Sequence, residues 1–105
     1  KHDNYIRRHE MAGISKTVLQ IQPGKVDEAV EFIKSVEARA SALDGITGFG
    51  LAITGENEIT VIGVYDNIAA ANAAASLVQE VFGELASIIA GPADRGVFEG
   101  VWFSV

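Results

Sequence analysis

Cysteine is absent from the 105 residues, which excludes a disulfide, a thiolate nucleophile and any cysteine-ligated metal. Histidine occurs only as His2 and His9, ahead of the first patterned segment, so the rest of the chain has no Ser-His-Asp set. No apolar run approaches the roughly 20 residues of a membrane span, and no signal-peptide pattern opens the chain. Positive charge is scarce. Eight Lys and Arg against fourteen Asp and Glu leave a net charge of −6, which argues against nucleic acid or an anionic membrane as partner. Gly48, Gly50, Gly55 and Gly63 lie in strand-like runs with no Walker or dinucleotide fingerprint behind them, so no phosphate cradle is expected. A cysteine-free chain fits a reducing compartment, and a cytoplasmic location is expected.

What is present is enough apolar residue for one domain, 49% of the chain against 21% charged. The most informative stretch runs from Phe49 to Tyr65, two β-prone runs around the polar turn Gly55-Glu56-Asn57-Glu58. Neither run has a properly polar face: Phe49, Leu51 and Ile53 alternate with Gly50, Ala52 and Thr54, and Ile59, Val61 and Tyr65 with Thr60, Ile62 and Val64. A three-residue loop with Asn57 in the left-handed conformation segregates the large residues onto one face, and is favoured over a two-residue loop that mixes the faces.

Residues 1–13 are polar and aperiodic and are expected to form a flexible N-terminal arm; residues 14–105 are the folded domain. Ile14 to Gln22 reads as a strand stopped by Pro23-Gly24. Lys25 to Leu43 carries one apolar stripe at steps of three and four, with Asp27 and Glu28 in the first turn, and predicts a helix. A second helix is expected from Ile68 to about Ala90, capped by Asp66 or Asn67 and alanine-rich in its first half. Gly96 to Val105 predicts the last strand. The order β-α-β-β-α-β is the ferredoxin-like arrangement, an α+β fold with a four-stranded antiparallel sheet. Two helices cover only one face of such a sheet. The other is apolar here, so a homodimer packed through the sheet faces is expected.

Two segments carry a family resemblance. Val18-Leu19-Gln20-Ile21-Gln22-Pro23-Gly24-Lys25 is like a strand ending in a Pro-Gly-Lys turn before a Glu-containing helix, and Val61-Ile62-Gly63-Val64-Tyr65-Asp66-Asn67 leads into the alanine-rich helix. In this order and spacing the chain resembles the dimeric α+β barrel superfamily and, within it, the antibiotic biosynthesis monooxygenase (ABM)-like proteins. Many members read Tyr-Glu-x-Trp-x-Ser at the second segment. Here Gly63 stands at the Glu position, Tyr65 at the Trp position and Asn67 at the Ser position, with alanines, Ala74 among them, in place of a helical histidine.

The resemblance implies a dimeric small-molecule-binding protein, a cofactor-independent monooxygenase acting on a small hydrophobic or aromatic compound, with no cofactor and no metal. The alternative is a non-catalytic dimeric binding or accessory module; a third and weaker reading is sequestration of haem or a metabolite. Candidate substrate-binding residues are Tyr65 and Gln20 to orient a ligand in the gap between sheet and helices, Phe49 and Trp102 as walls, and Asn67. Each also has a plain structural reading: a half-buried aromatic for Tyr65, a helix cap for Asn67, core or dimer-seam packing for Phe49 and Trp102, and a barrel hydrogen bond for Gln20.

Overall fold

The computed structural model describes residues 11–105; His2, His9 and most of the expected arm lie outside the described residues. Strands β1 (Ala12–Gln20), β2 (Ile46–Gly55), β3 (Glu58–Tyr65) and β4 (Asp94–Gly100) form one antiparallel sheet in the order β2-β3-β1-β4. Between β1 and β2 come α1 (Val26–Ser35) and α2 (Glu37–Ser41); between β3 and β4 come α3 (Ile68–Ala73) and α4 (Ala75–Glu84). This is the ferredoxin-like α+β fold.

The large alternating residues of the sheet meet the helices. Leu19, Ile21, Ile59 and Leu85 are fully buried, and Ala29, Ile33 and Ile88 complete the main core. A second, smaller core gathers Tyr65, Ala71 and Ala74 under α3. Small side chains let this short helix lie close to the sheet, and Gly13 of β1 faces its first turn.

Several boundaries differ from the sequence expectation, each for a local reason. The strand expected from Ile14 already begins at Ala12, so two residues assigned to the arm pair within the sheet, Ala12 with Gly100 and Gly13 with Tyr65 and Glu99. The single helix expected over residues 25–43 is interrupted at Val36, whose N–H bonds the carbonyl of Ile33 three residues back, a local tightening of the ladder. The second expected helix is interrupted at Ala74 and ends at Glu84 instead of Ala90. Beyond it the backbone swings away to pair with the end of β1: Ala90 N–H donates to Gln20 O at 2.7 Å and Gln22 N–H to Ile88 O at 2.8 Å. The last strand stops at Gly100 rather than Val105, opposite Ala12, the first residue of its partner β1.

The central hairpin combines the two loop readings. Gly55 pairs with Glu58 around a two-residue turn, but a register irregularity at Thr54 restores Ile53 opposite Ile59. The large residues are segregated as expected, while Asn57 is not left-handed, since no described residue other than glycine has positive φ.

On the face away from the helices lie Ile14, Val18, Ile62 and Phe98, with Lys16 among them; Phe98 is 56% exposed. Val64 on this face is buried, in a hollow also lined by Gly100 to Trp102 and by Ser104. Among the described residues no helix is long and apolar enough to cross a membrane.

Candidate functional site

The strand register sets the floor of a half-open slot between sheet and helices. It aligns Leu51, Val61, Thr17 and Arg95 in one row and Phe49, Gly63, Ser15 and Val97 in the next, crossing all four strands. At about 4.8 Å between neighbouring strands, such a row spans roughly 14 Å. The roof is Ile33 and Val36 from the first helical segment and Leu77, Val78, Val81 and Phe82 from α4. The slot's volume is about 80 Å³. The slot lies between the two cores, where Ser15 and Thr17 replace aliphatic side chains on the buried face of β1.

Gly63 makes room for the polar groups. A Cβ there would lie 2.7 Å from Ser15 Oγ and 3.3 Å from the Tyr65 hydroxyl, so both oxygens share the space above its backbone. Arg95 enters from β4, its Nη2–H donating to Ala71 O at 3.1 Å. On the same face, at the β2 edge of the sheet, Ile33, Ile46 and Phe49 also line an open cleft of about 630 Å³ between the α1–α2 segment and edge strand β2. Phe49 thus stands where slot and cleft meet.

An ion-pair clamp holds the two sides of the roof together. Arg39 of α2 reaches Glu80 and Glu84 of α4, each at 2.9 Å from Nη2. Its guanidinium is raised above its ordinary value by the hydrogen bonds it donates to Glu84 and by the nearby charges of Glu84 and Glu80. The pair geometry orients the helices more than it stabilises them, because these side chains remain in contact with water.

Of the residues singled out from sequence, the structure brings Tyr65 and Phe49 together at the slot. Gln20 is not there. It is exposed on the opposite face of β1, where its Nε2–H donates to Glu58 at 3.0 Å; the alternation that buries Leu19 turns Gln20 away from the gap. Asn67 is the N-cap of α3, its Oδ1 accepting from the Ala70 N–H at 2.8 Å. Trp102 is 53% exposed, past the end of β4, in the hollow that also holds Val64 and Asp66. Ser15, Thr17 and Arg95 are the slot residues that sequence reasoning missed. Ser15 was legible as a polar residue in phase with Thr17, Leu19 and Ile21, whereas Arg95 preceded the expected start of its strand. Among the described residues no three His, Asp or Glu side chains gather to hold a metal.

The half-buried Glu58 shows how the hairpin tip is ordered. Hydrogen bonds from Thr54, at 2.6 Å, and then Gln20 hold its carboxyl below the ordinary value of 4.5. A depressed folded-state value means that this contribution to stability is present above pH 4.5 and is lost as the pH falls through the folded value. Thr54→Val is expected to raise the Glu58 titration midpoint, followed by carboxyl-carbon NMR; an unmoved midpoint would show that the hydroxyl does not hold the carboxylate.

No protein-family model matches the chain, and no curated protein matches it. Solved structures do. The NE2512 protein of unknown function from Nitrosomonas europaea superposes with a TM-score of 0.79 at 17% identity, over 92% of this chain and 96% of that one. A candidate antibiotic biosynthesis monooxygenase from the same organism gives 0.76 at 13% identity, over 93% and 96%. SnoaB, a cofactor-independent oxygenase from Streptomyces nogalater, solved as an Asn-to-Ala variant, gives 0.68 at 13% identity, over 83% and 90%. The chain has the ABM-like fold. The match extends over nearly the whole length of each ABM-like structure. At these identities the likeness concerns the ABM-like backbone and assigns no side chain a role.

Proposed function

We propose that the slot and its outer cleft bind a small hydrophobic, aromatic compound, and that the protein is a dimeric, cofactor-independent monooxygenase of the ABM type. The observation that carries the ligand reading is a half-open, mainly apolar space with Tyr65 and Arg95 among its lining. An apolar site with a few convergent polar groups is the usual form of a small-molecule site. An electron-rich aromatic would react here as its anion. A CH2 group flanked by rings gives up a proton, takes up dioxygen and leaves as C=O, with water as the other product. Arg95 supplies positive charge to the anion and Tyr65 a hydroxyl to its oxygen.

A specific observation favours the second reading, a non-catalytic binding module. The slot, at about 80 Å³, is far smaller than the few hundred Å³ usual for ligand sites. A tricyclic compound would therefore lie largely in the 630 Å³ cleft, with one edge passing Phe49 into the slot. Incubation with an anthrone under oxygen separates the readings. The enzyme reading expects conversion to the quinone, with kcat at least about tenfold lower in Tyr65→Phe for a lost hydrogen bond to the developing charge. No turnover, with Tyr65→Phe indistinguishable from the parent in ligand binding, leaves only the module.

The dimer would use the face that carries Ile14, Val18, Ile62 and Phe98. A cytoplasmic setting agrees with the absence of cysteine.

A further inference from the structure

Arg95 brings a permanent positive charge into the slot, and its neighbours answer only part of it. The Nη2–H donates to Ala71 O near the C-terminal end of α3, a neutral acceptor. The Nε is buried with no hydrogen-bond partner. Ion pairs among the described residues involve Lys25, Lys34 and Arg39, and none includes Arg95. Support of the Ala71 carbonyl accounts for one N–H of Nη2 and leaves the charge of the guanidinium without a counter-charge among the described ion pairs.

The geometry points to a carboxylate as the group this slot receives: a short aliphatic or monocyclic acid whose head meets the Arg95 guanidinium and whose apolar body runs beneath the helices toward Phe49. A planar guanidinium presents parallel N–H groups that match the two oxygens of a carboxylate. Ser15 and Thr17 line the floor beside Arg95, within the same slot, and carry hydroxyls able to donate to a carboxylate oxygen. The volume sets the size. At about 10–15 Å³ per water-sized group, 80 Å³ holds roughly five to eight such groups. A carboxylate and part of one ring fit, and the remainder reaches the cleft.

The inference rests on the reading that the slot binds a small apolar compound, and a matched pair of probes separates the two. Benzoate and benzamide share a shape and differ in charge. Titrated into the whole protein and followed by amide and arginine-side-chain NMR, benzoate is expected to shift the Arg95 Nε–H and the Tyr65 resonances, with benzamide binding at least tenfold more weakly. Arg95→Gln is expected to reduce benzoate to the level of benzamide. The comparison within the parent protein stands by itself if that variant does not fold. Equal affinity for the two probes, or benzoate shifts confined to surface lysines, overturns the carboxylate assignment. Failure of both probes while an anthrone binds overturns it and leaves the slot reading intact; failure of all three removes both.

Discussion

Gly13→Ala is expected to cost at least about 3 kcal/mol of folding stability, measured by urea denaturation, the upper end of what overpacking does. A Cβ at this position would lie 2.7 Å from the carbonyl carbon of Asn67 and 2.8 Å from the Cα of Ile68. These are backbone atoms at the start of α3, so no rotamer change relieves the contact. The helix must move off the sheet, and with it the Ala71 carbonyl that receives Arg95 and the small core of Tyr65, Ala71 and Ala74. Gly50→Ala is the control. Its Cβ would meet nothing within 4 Å, so alanine there is expected to change stability by less than about 1 kcal/mol, and in the favourable direction through the unfolded chain. If the two variants were equally stable, α3 would not press on β1 as described, and the Arg95–Ala71 contact would lose its basis.

The elements and faces were legible because they follow from period. Phe49, Leu51 and Ile53 sit in phase with Ile59 and Val61 across the hairpin, and the alternation of Thr17, Leu19 and Ile21 marks the buried side of β1. The helical interruptions at Val36 and Ala74 were not legible, since neither has a proline or glycine to announce it. The slot depends on register, which a single strand does not carry. That Tyr65 and Gln20 fall on opposite faces follows only once Gly13 is known to pair with Tyr65 and Gln20 with Glu58. Arg95 was invisible for the same reason: its importance comes from lying opposite Thr17, and it stands before the segment that looked like a strand. Trp102 was misplaced by extending β4 past Ala12, the first residue of its partner β1.

Ile62→Lys is expected to convert the proposed dimer to a monomer, raising Kd by a factor of about 100 or more. Ile62 lies on β3 directly opposite Lys16 of β1, on the face without helices. In the parent protein one lysine per chain sits on this face, and its aliphatic stem can cover the sheet while its ammonium reaches the rim. A second lysine beside it puts two like charges in each half, and two-fold packing brings four together. Leaving a buried charge without a partner costs about 3–5 kcal/mol, and 1.4 kcal/mol is tenfold in affinity. The isolated fold should tolerate the change, since Ile62 is only half-buried in the single chain. Sedimentation across a concentration series reads the result, with circular dichroism to show that the variant is folded. A parent protein that sediments as a monomer throughout would overturn the dimer, and the burial of Val64 within one chain would then be the pattern for the whole face. The slot opens on the other side of the sheet, so a folded Ile62→Lys monomer should bind a slot ligand as the parent does. If it lost that binding as well, association and ligand site would be coupled through the sheet.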